Sequence, residues 1–215
     1  MKTDDLIKDL TKDLEPVKPV PSLASRLFLY SALSVLLIRA VAFYIGESRM
    51  SMGEMLKPQF FFEMALLFGA GLMAIAAAFK LSIPDTKIRC TTVALLVIPT
   101  MIVIGMNIFG YLRITGISMM EEMHKHDTFL HEITDLLLMI ALPTAMLFYI
   151  IGRAAPTFRM WAGYAIVLSV ACFGAIVLRT FCGMDHGAHL IIYHYLPILG
   201  ASAIGVVMGA ISLKW

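Results

Sequence analysis

Six apolar stretches, each long enough to cross a lipid bilayer, constrain this chain more than any other feature. A helix rises 1.5 Å per residue, so about 20 apolar residues cover roughly 30 Å of hydrocarbon. Stretches near 27–46, 59–79, 91–112, 132–151, 160–180 and 189–212 reach that length, and polar or Pro- and Gly-bearing separators divide them. Because little chain is left for soluble structure and only helices satisfy their own amides in lipid, the expected fold is all-α: an integral membrane bundle of six transmembrane helices. Composition agrees, with 60% apolar and 15% charged residues, where a soluble domain carries about 25% charged.

Ten of the Asp, Glu, Lys and Arg residues crowd into residues 1–26. The chain therefore divides into a polar tail, 1–26, and a membrane domain, 27–215. A formal net charge of +2 gives no case for direct contact with nucleic acid, which needs a concentrated basic face. With the N-terminus inside, the cytoplasmic segments hold eleven Lys and Arg and the outer segments five, which predicts both termini in the cytoplasm. A cleaved signal peptide ending at Ala40-Val41-Ala42 is the weaker reading, since the region before it is long and acidic. Small residues recur in the spans, at Gly69-Ala70-Gly71, at 74–78 and from Gly200 to Ala210; ordinary close helix packing accounts for them. No internal repeat of the kind found in secondary transporters stands out.

Residues 3–15 read as a short amphipathic helix. Thr3 caps it, Asp4 and Asp5 suit the positive end of its dipole, and Pro16 stops it. Leu6, Ile7, Leu10 and Leu14 then share one face, and residues 16–21 form an extended Pro-rich spacer. So short a helix is marginal alone in water and orders when its stripe is covered. The five basic and five acidic side chains of the tail, residues 1–26, weaken a lipid surface as the cover, because lipid-binding helices carry excess Lys and Arg. A groove on a partner protein fits better. A disordered tail, or one docked on the chain's own loops, stays open.

Arg39, Glu63 and Asp135 lie inside the apolar stretches, all in the outer half. Charges at that depth are costly and are expected to pair or to snorkel, and Arg39 with Glu63 is the preferred pair because consecutive helices are usually neighbours. All six histidines fall on the same side: His124, His126 and His131 before the fourth span, and His186, His189 and His194 about the start of the sixth. His124, Asp127, His131 and Asp135 share a helical face with Glu132 adjacent. Met119, Met120 and Met123 add thioethers, and Cys182 with His186 and His189 brings a thiol and imidazoles from across the bundle. Such a mixture suits Zn or Cu as a signal. A pH switch and plain hydrogen bonding are the alternatives. Cys172 is expected buried and inert, and Cys90 on the opposite side.

Enzyme readings find little support. Haem needs histidines facing each other within the spans, quinone-linked thiol oxidation needs paired outer cysteines, and no nucleophile triad or phosphate loop occurs.

Met1-Lys2-Thr3-Asp4-Asp5-Leu6-Ile7, the Val17–Pro21 spacer, Arg153 with Ala155-Pro156-Thr157 and Ala162-Gly163, Cys182 after the fifth span, and the terminal Lys214-Trp215 together resemble the negative regulator of sigma F (NrsF) family. The resemblance implies a six-span anti-sigma factor of the bacterial inner membrane that holds an extracytoplasmic-function sigma factor inactive until an envelope signal arrives. It puts Leu6, Ile7 and Leu10 in the sigma-binding tail and Cys182 on the sensing outer face. Two positions depart from the pattern. Where the family usually has a second outer cysteine, this chain has His131-Glu132, so a mixed Cys/His metal site replaces a dithiol sensor; and the aromatic pair early in the sixth span is Tyr193-His194. The expectation from another class is a small transporter or metal-handling membrane protein with Arg39, Glu63 and Asp135 as its polar path.

Overall fold

The computed structural model describes residues 3–12, 21–45, 52–83, 89–114, 126–182 and 184–214. Its described residues are helical, with turns between, and contain no strand. In chain order the elements are α1 (Thr3–Leu10), α2 (Leu23–Ile45), the single turn α3 (Met52–Met55), α4 (Pro58–Leu81), α5 (Cys90–Leu112), α6 (His126–Gly152), α7 (Arg159–Phe181) and α8 (Gly187–Ser212). Six of these, α2 and α4 to α8, are long and apolar enough to cross a membrane, as expected.

All six are strongly apolar, so hydropathy alone cannot choose which goes to the centre. Small side chains decide it, because between apolar helices in lipid the gain comes from close backbone approach. α7 is buried over most of its length, whereas α2 and α5 expose most of theirs. A Cβ on Gly163 of α7 would collide with the backbone of Gly205 and Gly209 on α8, and one on Gly71 of α4 would lie 2.6 Å from the Phe173 ring. Gly174 is equally tight, with Ile140 of α6 at 2.6 Å. Gly69 and Gly200 have open space instead, so only part of each small-residue run serves the contact. α7 is thus the axis on which α4, α6 and α8 lean.

The ends of the bundle differ. Where α2 begins, Arg26 lies over the Phe79 ring near the end of α4, and Pro21, Ser25, Arg26, Tyr30, Ile150 and Arg153 line a cavity of about 410 Å³. The far end collects the starts of α4, α6 and α8 and the ends of α5 and α7. There Gly187 meets the backbone of Gly110 and Arg113 so closely that a Cβ would not fit.

α1 is shorter than the 3–15 helix expected. It ends at Leu10 and closes with a turn in which the Thr11 hydroxyl donates to the Ile7 carbonyl at 2.8 Å; a hydroxyl that bonds back into the preceding turn competes with helix propagation. Residues 13–20, and with them Leu14 and most of the spacer, lie outside the described residues. Leu6, Ile7 and Leu10 are exposed.

Candidate functional site: a buried polar end

Two polar clusters are built into the far end, and the loop after α7 belongs to both. The first centres on Glu63, one turn inside α4. Arg113, just past α5, approaches its Oε1 at 3.4 Å, and Arg179, near the end of α7, approaches Oε2 at 3.5 Å. Arg179 also binds Asp185 Oδ1 at 2.5 Å, and Arg113 and Lys57 each lie 3.8 Å from Asp185 Oδ2. Tyr195 of α8 hydrogen-bonds to Glu63. Two carboxylates are thereby interleaved with two guanidiniums, and the exposed ammonium of Lys57 closes the rim. Arg179 is only 2% exposed, so its charge depends wholly on these partners.

The second cluster consists of Glu132 on α6, Cys182 directly after α7, and His189 and His194 on α8. One donor atom from each of the four lies within 4.8 Å of the others. Cys182 Sγ is 3.0 Å from His189 Nε2, the Glu132 carboxylate is 3.7 Å from that nitrogen, and Glu132 is 3.9 Å from His194 Nε2. Cys182, His189 and His194 are buried, and neither ring nitrogen of His194 has a hydrogen-bond partner among the described residues.

Local backbone geometry brings these donors together. Cys182 leaves α7 in an extended conformation, φ −88° and ψ 121°, which turns its thiol back toward α8. His186 opens α8 as its cap, with Nδ1 accepting from the His189 N–H at 3.3 Å. Residues Leu190–Tyr195 then form a π-helical turn, closed by the Leu196 N–H bonding to the Ile191 carbonyl five residues back. In an α-helix, residues five apart point about 140° away from each other; the wider turn brings them onto one side. His189 and His194, five apart, consequently sit with ring centres 5.4 Å apart. Pro197 supplies a reason for the widening, since it has no N–H to donate and its ring crowds the carbonyl of residue 193 in a regular helix.

The residues singled out from sequence fare differently. Cys182 and His189 meet as expected. His186 is beside them but uses Nδ1 as a cap. His131 turns away, is mostly exposed and pairs with Asp135 one helical turn on, at 3.5 Å. His126 opens α6, but its side chain and the whole of His124 lie outside the described residues. Arg39 is exposed and stacks over the Phe181 ring at 5.6 Å, and Glu63 takes Arg113 and Arg179 in place of it. The preferred Arg39–Glu63 pair is therefore corrected: Arg39 lies on an exposed part of α2, whereas Glu63 faces α5 and α7. Arg39, Glu63 and Asp135 do not form one polar path. Cys172 is buried and Cys90 exposed.

Arg113, Arg179 and Asp185 complete the first cluster and were not singled out from the sequence, whereas Glu132 and His194, named there only beside the preferred metal ligands, complete the second. Arg179 carried a usable signal, a cation at the inner edge of an apolar span. His194 was placed at this end with the other histidines, but its meeting with His189 depends on the π-helical turn.

Six helices of membrane-spanning length and apolarity around a small-residue axis, a buried polar end and an exposed amphipathic N-terminal helix are consistent with a polytopic membrane protein. The chain belongs to the negative regulator of sigma F family, whose sequence model matches residues 10–215. Negative regulation of a sigma factor is thus its role at the level of the family, with a sigma factor as the partner. Most of α1 precedes the matched residues. No curated protein and no solved structure matches the chain.

Proposed function

We propose that this chain is a membrane-bound anti-sigma factor of a bacterial inner membrane, with both termini in the cytoplasm. Residues 1–26 hold an extracytoplasmic-function sigma factor, residues 27–215 anchor it, and an envelope signal, metal or thiol stress, acts at the polar far end to release it. The observation that carries the reading is the stripe of Leu6, Ile7 and Leu10, left exposed on α1 in a family of sigma regulators. An apolar stripe on a short helix is the form in which helices enter protein grooves.

Release requires two bundle states with different tail affinity, and a signal shifts them only by its own differential affinity. The loop after α7 supports such coupling, since Cys182 belongs to one cluster and Asp185 to the other. The transporter alternative draws on no continuous path, because its three charges have separate partners. Co-purification from detergent with the sigma factor encoded beside the gene tests the proposal: full-length protein should retain it, and a variant lacking residues 1–20, or Leu6→Asp with Leu10→Asp, should not. Equal retention by both, or none by a correctly folded full-length chain, overturns it.

A further inference from the structure

We propose that Glu132, Cys182, His189 and His194 form a closed, four-coordinate site for one zinc ion. Four donors, one from α6, two from α8 and one from the residue directly after α7, converge within 4.8 Å. Zinc bonds of about 2.0–2.3 Å at tetrahedral angles put neighbouring donors roughly 3.2–3.8 Å apart. Cys182 Sγ lies 3.0 Å from His189 Nε2, and the two Glu132 oxygens lie 3.7 Å from His189 Nε2 and 3.9 Å from His194 Nε2, so side-chain shifts that turn one carboxylate oxygen to both imidazoles complete the geometry. His194 supplies an independent sign. A buried imidazole with neither nitrogen hydrogen-bonded among the described residues lacks the satisfaction that buried polar groups almost always find, and a metal would provide it.

The donor set selects the ion. Nitrogen and sulfur ligands disfavour Mg²⁺ and Ca²⁺, and a hard carboxylate beside a single sulfur disfavours Cu(I). One thiolate, one carboxylate and two neutral imidazoles balance the two positive charges of Zn²⁺. Binding displaces the thiol proton of Cys182 to solvent. Four protein ligands leave no open position, as in sites that hold structure rather than perform hydrolysis. The ion ties α6, the end of α7 and the start of α8 together, beside the Glu63–Arg179 network, which Tyr195 and Asp185 touch. The inference deepens the sensing half of the anti-sigma reading, while the binding itself is independent of any sigma factor.

The test uses full-length protein in detergent. After exhaustive dialysis, metal analysis should find about one zinc per chain, lost in Cys182→Ala and His194→Ala and kept in His131→Ala and Cys90→Ser. Cobalt(II) added to metal-free protein should give a sulfur-to-cobalt charge-transfer band and the intense visible bands of a tetrahedral ion, both displaced by zinc. If the ligand variants fail to fold, the cobalt spectrum of wild-type and Cys90→Ser protein decides alone, since the charge-transfer band requires a Co–S bond. Folded wild-type protein without zinc and without that band overturns the site. Because sigma-factor retention is measured separately, loss of one result leaves the other standing.

Discussion

The two polar clusters at the far end are neighbours, yet they are built on different principles. Around Glu63 every group but Tyr195 carries a permanent charge: two carboxylates face two guanidiniums and a lysine. Around His189 and His194 the groups are a thiol, two imidazoles and one carboxylate, all of them donors to a metal. The first cluster pairs its own opposite charges as folded, and removing a buried member weakens the pairing of the charges left behind. In the zinc reading proposed above, the second gains its full set of bonds with the cation. The first is then a fastener and the second a receptor, with Cys182 in one and Asp185, three residues on, in the other.

Breaking the fastener should have the largest effect. Arg179→Ala leaves the buried Glu63 with Arg113 as its remaining cation and removes the shortest pair of Asp185, at a cost of up to about 3–5 kcal/mol, and is expected to yield little folded protein in detergent; a near-normal thermal midpoint would contradict the ion network. Saturating zinc should come next. At a free concentration near one hundred times its dissociation constant, a ligand stabilises the state it binds by roughly 2.7 kcal/mol. Thermal unfolding of wild-type protein should shift up with zinc and down with a chelator, while Cys182→Ala responds to neither. Glu63→Gln keeps the volume but removes the charge between two guanidiniums, with an expected loss of about 1–3 kcal/mol. Lys57→Ala should be smallest. Its ammonium is exposed and 3.8 Å from Asp185, and such pairs contribute about 0–1 kcal/mol. If Lys57→Ala costs as much as Arg179→Ala, burial is not what separates the inner pairs from the rim.

The tail offers a contrast between binding and stability. Leu6→Asp with Leu10→Asp should abolish sigma-factor retention yet leave the melting of the bundle unchanged, because both side chains are exposed on α1. A large fall in thermal midpoint would mean that α1 is part of the bundle.

Much was legible before any coordinates. Six spans follow from apolar run length, because helices alone close their backbone hydrogen bonds in lipid. Gathering of histidines, Cys182, Glu63 and Asp135 at one end follows from counting up-and-down spans. Partners did not follow. Arg39 and Glu63 sit on consecutive spans, but which faces meet depends on helix rotation, set by where Gly163, Gly205 and Gly71 let backbones approach. His131 looked the equal of His189, yet one faces outward toward Asp135 and the other is fully buried.

The sequence by itself determined the number of helices, their alternation across the bundle, the exposed leucine face of α1 and the end at which the chemistry gathers, since these depend on apolar length and local periodicity. Only the tertiary structure decided which donors converge. His189 and His194 are five residues apart and would diverge on a regular helix; the π-helical turn before Pro197, and the packing of α6 and the end of α7 against it, turn them toward Glu132 and Cys182. Sequence spacing sets direction around one helix axis, while a site shared by three helices depends on how those axes are rotated against one another.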